Sequence, residues 1–198
     1  MNINQRTECK NYFLKRMYRV RREIRDQLAE RAVDNLIRYY SLLHSTGEPG
    51  IEALVRAIHG SSFTTSRSVH HHHYPSGTME HCLGVYRLMS QEAEKLRQSG
   101  CEIKESDVIL VALLHDVCQG KCDEWAGYGG HGRRSKAIVE RYLPEVSADV
   151  LEAINGHMHT PANDKNVLWK LVKSADWTDG HTCDKGFAKI SDTDVVAL

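Results

Sequence analysis

A chain of 198 residues, 41% hydrophobic and 26% charged, can bury a core without disulfide or metal staples and is too apolar to stay disordered. Lys plus Arg and Asp plus Glu both number 26, so no global field draws it to nucleic acid or to an anionic membrane. The longest apolar run, residues 108–114, is far too short for a bilayer span. Residues 2–10 are polar where a secretory signal would be apolar, so a cytoplasmic location is expected.

No glycine-rich phosphate loop, internal repeat or low-complexity tract is present, and long stretches lack strand alternation, so the chain reads as nearly all helix. Residues 11–43 carry Phe13, Met17, Ile24, Leu28, Val33, Leu36 and Tyr40 at helical steps. The first half of that segment is basic, but Glu23, Asp26 and Glu30 interrupt the run, which reads as a solvated face ahead of a nucleic-acid contact. The Gly47-Glu48-Pro49-Gly50 turn ends it, a short helix over 51–58 follows, and 61–77 reads as a loop. Thr78 is placed to cap a helix over 78–98 that Gly100 stops. Ser106 is placed to cap a helix over 107–117, which is apolar almost all round and must therefore be central. Residues 118–132 hold five glycines and read as a loop. Further helices are expected over 133–142, 147–159 and 166–178, followed by a weakly patterned tail. The organisation expected is an N-terminal helical segment, 1–60, packing on a core of 61–182, with a short tail of 183–198.

The six cysteines show one close pair, Cys118 and Cys122, and no second pair at zinc-finger spacing; reduced thiols are expected. Histidine is the outlier, with twelve copies, most of them between His70 and His181. Imidazole is the commonest transition-metal ligand. His115 and Asp116 end the buried helix. Burying an ionised Asp beside a His costs several kcal/mol unless a counter-charge is present, and a divalent cation serves both side chains. The alternative is a pair that reaches solvent at the helix end. His81 shares a face with Val85, Leu88 and Met89, His157 lies on the face of Ile154 and Val150, and Asp176 follows Val172 by four. His131 stands at a helix entrance. One inward histidine is an ordinary core residue, but this many ligand-type residues on buried faces and helix ends point to a metal.

The ordered series His81, His115-Asp116 and Asp176 resembles the defining pattern of the HD-domain metal-dependent phosphohydrolases. The segment His72-His73-Tyr74-Pro75-Ser76-Gly77-Thr78-Met79-Glu80-His81 resembles the family's loop into its first ligand helix, and Leu113-Leu114-His115-Asp116-Val117 its central motif. Gly130-His131-Gly132, Ala153-Ile154-Asn155-Gly156-His157-Met158 and Ser174-Ala175-Asp176 are similar to the later motifs. Together these cover residues 70–180. The resemblance implies an all-α, HD-domain-like bundle with an N-terminal helical extension. It implies that His81, His115, Asp116 and Asp176 hold one divalent ion. Asp116 would bridge a second ion that His131 and His157 complete, with His159 a weaker candidate. Hydrolysis by metal-activated water, with Asp116 and His115 as catalytic residues, is expected on a phosphomonoester or phosphodiester of a nucleotide or another small molecule. Histidine-rich ligation favours Fe, Mn, Zn, Ni or Co over Mg alone. Lys121, Arg133 and Arg134 are the expected phosphate contacts, with His72 or His73 from the histidine run. Cys118-Gln119 stand where many members carry Gly and then Lys.

Two other readings stay open. A ligand-sensing module would keep the metal without turnover, which the Cys118-Gln119 departure favours. A nucleic-acid processing protein would use the basic helix of residues 10–31. Balanced charge and few interleaved aromatics (Tyr12, Phe13, Tyr18) argue against the latter. No membrane partner is expected, and the oligomeric state is left open.

Overall fold

The computed structural model describes residues 27–59, 72, 76–119, 129–158 and 165–182. These form helices α1 (Gln27–Ser45), α2 (Ile51–His59), α3 (Gly77–Gln98), α4 (Glu105–Leu114), α5 (His131–Tyr142), α6 (Ala148–Gly156) and α7 (Val167–Thr182), with a 3-10 turn at Val117–Gln119. No strand occurs among the described residues, so the architecture is all-α as expected. No described helix is long and apolar enough to cross a membrane.

Helix α4 organises the rest. Val108, Ile109, Leu110, Val111, Ala112, Leu113 and Leu114 are all buried, because a helix apolar all round finds no stable place except among other helices. It packs against α1, α3, α6 and α7. Helix α3 also lies along α7, and α5 pairs with α6. Tyr39 and Leu43 of α1 and Leu54 of α2 join Met89, Leu110, Leu113, Ile138 and Ile154 in one core, each such side chain contributing about 1.5–3 kcal/mol on burial. Polar contacts fix α1 in register. The Tyr39 hydroxyl donates to the Leu113 carbonyl, Asn35 Nδ2 donates to Ser76 Oγ (3.2 Å) and Glu80 Oε2 (3.0 Å), and the Arg31 guanidinium forks onto the Glu80 carboxylate.

Several boundaries differ from expectation, each for a local reason. Ser76, at φ 58°, takes the N-cap position of α3, so Thr78 lies in the first turn and its buried hydroxyl makes no hydrogen bond. Lys104 precedes α4, leaving Ser106 inside a first turn whose Glu105 and Asp107 complement the helix dipole. Helix α4 stops at Leu114 rather than at 117, and the chain tightens into the 3-10 turn. Helix α5 begins at His131, two residues early. Asn166 caps α7 by accepting from the Trp169 amide (3.1 Å), and the helix runs four residues past Thr178. Ser147 caps α6, accepting from Val150 N. Cys82, Cys101 and Cys118 are free thiols, whereas Cys9, Cys122, Cys183 and the expected helix over 11–26 lie outside the described residues.

Candidate metal centre

Two helices end on this centre in the same way. His115 follows the last residue of α4 and His157 the last of α6, both with helical backbone angles. In each, Nδ1 lies at hydrogen-bond distance from the carbonyl three residues back: Ala112 O at 2.8 Å and Ile154 O at 2.7 Å. A carbonyl can only accept, so Nδ1 carries the proton and donates. The imidazole thereby satisfies an end-of-helix carbonyl that lacks an amide partner. Nε2 is left with its lone pair facing the centre. The negative ends of both helix dipoles point the same way.

His81 reaches the same point from α3. Its Nδ1 donates to Asp179 Oδ2 (2.8 Å), while Nε2 lies 3.0 Å from Asp176 Oδ1 and 3.3 Å from His115 Nε2. Asp176 and Asp179 are one turn apart on α7. Gly84 makes room for the second of them, since a Cβ there would overlap the Asp179 carboxylate. His72, buried and at φ 50°, brings Nε2 to 3.5 Å from the same Asp179 oxygen. On the other side, His131 Nε2 and His157 Nε2 are 2.9 Å apart, and they lie 3.4 and 3.5 Å from Asp116 Oδ1. Asp116 Oδ2 is 3.9 Å from His115 Nε2. Gly132 sets the spacing on this side, because α5 crosses so close to Asn155 O of α6 that a Cβ would not fit. The 3-10 turn is tied to the same corner: the Cys118 thiol donates to His131 O (3.1 Å) and the Cys118 amide to Ser135 Oγ (3.3 Å).

Charge at the centre is unbalanced toward the negative. Burial opposes ionisation of Asp116, but the His115, His157 and His131 imidazoles outweigh it and hold the carboxyl well below the usual range. Burial takes His115 down to about 4, so it is neutral. Burial works the same way on His81, yet its hydrogen bonds to Asp176 and Asp179 dominate and carry it up to about 10. Positive charge is drawn to the point where His81 Nε2 faces Asp176. Asp116 Oδ1 is buried and makes no hydrogen bond. Converging Nε2 lone pairs, carboxylate oxygens and an unsatisfied carboxylate oxygen are the donor set of a divalent transition ion, so the residues present fit one. Three overlapping triplets have ligand atoms within 4.8 Å of one another: His81–His115–Asp176, His115–Asp116–His157 and His72–His81–Asp179.

The structure thus brings together His81, His115, Asp116, His131, His157 and Asp176. All but His115, which is fully buried behind them, border an open cleft of about 640 Å³ that is also lined by Gln119, Lys173 and Trp177. Arg134 lies near enough to His131 for its charge to depress that imidazole, after burial, and its Nε is buried without a hydrogen bond. Arg133 is exposed at the start of α5 beside Gly129. Lys121, His73 and His159 fall outside the described residues. Asp179 and Lys173 were not among the expected site residues. The spacing of Asp176 and Asp179, three apart on one helix face, is the signal that finds the first; Lys173 follows once Asp176 is placed, three residues ahead on the same helix.

The HD domain family matches residues 78–180. A curated relative, the dihydroneopterin 2′,3′-cyclic phosphate phosphodiesterase of Methanocaldococcus jannaschii, is 25% identical over 126 residues, covering 58% of this chain and 50% of its own length. The chain therefore spans about half the length of the curated relative it matches. No solved structure matches the chain.

Proposed function

The chain belongs to the HD-domain family, and on that premise we propose that it is a metal-dependent phosphohydrolase acting on a small phosphate ester. The observation that carries this reading is the pinning of three Nδ1 protons, on Ala112 O, Ile154 O and Asp179, which turns three Nε2 atoms toward two carboxylates. Such outer partners fix tautomer and ring orientation in metal sites and raise ligand basicity.

In this reading His81, His115, Asp116 and Asp176 hold the first ion, and Asp116, His131 and His157 a second. A divalent ion there supplies Lewis acidity toward a phosphoryl oxygen and lowers the pKa of attacking water. The chain's own groups do the rest. His115 stays neutral and keeps its Nδ1 proton on Ala112 O throughout. Asp116 presents Oδ1 between His131 and His157 and Oδ2 toward His115. Asp179 holds the His81 ring in one orientation, and Lys173, whose ammonium stands 5.0 Å from the Trp169 ring centroid, is a cation at the cleft wall that phosphate oxygens would draw inward. The relative's activity on a cyclic phosphodiester makes that bond type the first to try.

The test is phosphate release, or opening of a cyclic phosphate, across monoesters and cyclic diesters with Mn²⁺-, Fe²⁺- or Zn²⁺-loaded protein. Hydrolysis lost on chelation and restored by added metal is expected. Undiminished hydrolysis in chelator would sink the reading. Binding of metal and phosphate ester without turnover would make the chain a sensor instead.

A further inference from the structure

Helix α7 carries two tryptophans in opposite situations. Trp169 is 9% exposed and donates Nε1–H to Gly156 O (2.9 Å). Two turns on, Trp177 is 65% exposed. The other large apolar side chain left exposed among the described residues is Met158, at 52%. Both line the cleft over the histidine cluster. The His181 imidazole is stacked on the Trp177 ring, centroids 4.2 Å apart and planes within 24°, so it backs one face of the indole and holds the ring in place. Lys173, one turn earlier on α7, lines the same cleft.

Exposed apolar rings beside a polar centre mark a surface that a ligand covers. A phosphate group alone would leave most of the cleft unfilled, since its 640 Å³ lies within the roughly 300–1,000 Å³ of drug-sized ligand sites. We propose that the exposed Trp177 ring, backed by His181 and with Met158 in the same cleft, is a stacking platform for a planar heteroaromatic ring, so that the substrate is a phosphate ester carrying such a ring, as a nucleobase- or pterin-like compound does. This deepens the phosphohydrolase reading and rests on it for the phosphate end.

The test uses the Mn²⁺-loaded full chain and five probes: adenosine 5′-monophosphate, neopterin monophosphate, ribose 5-phosphate, inorganic phosphate and adenosine. Stacking on an aromatic side chain predicts that at least one ring-bearing phosphate binds ~10-fold more tightly than ribose 5-phosphate. Trp177→Ala should erase that advantage and Trp177→Phe keep most of it, with ribose 5-phosphate and inorganic phosphate unchanged in both. If neither ring-bearing phosphate outbinds ribose 5-phosphate, or if the advantage survives Trp177→Ala, the platform is wrong. Failure of every phosphate compound to bind, with Trp177-dependent adenosine binding intact, would instead remove the hydrolase reading and support the platform.

Discussion

The two sides of the histidine cluster are built from different materials. On one side a single imidazole, His81, lies between two carboxylates of α7, and its side chain is 3% exposed. On the other, His131 and His157 face each other and share one carboxylate oxygen of Asp116, with the His131 side chain 26% exposed. His115 stands between them, 3.3 Å from His81 Nε2 and with its ring centroid 4.9 Å from that of His157. The first side attracts a cation by dense, shielded negative charge. The second offers two imidazoles and a single carboxylate oxygen, with His131 the ligand candidate nearest to solvent, where charge is screened. An ion should therefore be held tightly on the His81 side and exchange more readily on the His131 side.

Asp116→Ala touches both sides, so its effect should be the largest. Hydrolysis should fall by more than the ~10–100-fold typical of losing an outer-shell partner, while circular dichroism keeps the helical signal. Packing around α4 comes from Val108, Val111, Leu113 and Leu114, which the substitution leaves in place. Next come the single-side variants. Titration of metal-free protein should show up to two equivalents; His131→Ala or His157→Ala should remove the weaker one, and His81→Ala the tighter. The reverse ranking would break the comparison. Asp179→Asn keeps a hydrogen-bond acceptor for His81 and removes the charge, so metal affinity should drop ~10–100-fold with the fold intact. Competition with a chelator of known affinity reads this directly, and an unchanged affinity would show that the carboxylate on Nδ1 is not what tightens this side. Cys118→Ala should have the smallest effect. Losing the thiol contact to His131 O, worth on the order of 1 kcal/mol, should weaken the second equivalent about fivefold and leave the first alone.

The helical bundle and the core of the site were legible because periodicity marks faces. A histidine in step with Val85 and Met89 must point inward, and a helix apolar on every side must be central, so its terminal His115-Asp116 had to meet other helices. What the pattern hid was tertiary. Helix α7 was expected to end at Thr178, where the weakly patterned tail begins, yet Asp179 is held in helix by burial against His81 and the gap at Gly84. Trp169 and Trp177 look alike in sequence, and only packing separates the buried ring from the exposed one. The cap position at Ser76 goes with its hydrogen bond from Asn35 of α1, a tertiary contact that local residue preference does not encode. The expected contacts Lys121 and His73 lie outside the described residues.

At His115 and His157 one imidazole both closes a helix and turns its Nε2 toward the candidate metal centre. Anything that fixes Nε2 must therefore also hold down the last turn of α4 and of α6. Fraying of those turns, the local opening that lets backbone amides exchange with solvent deuterium, requires each ring to let go of its carbonyl. Metal saturation, at about 100 times its dissociation constant, should thus slow exchange near the ends of these two helices by roughly 100-fold. The amides at the far end of α3, beyond Ala93, should exchange at the same rate with or without metal.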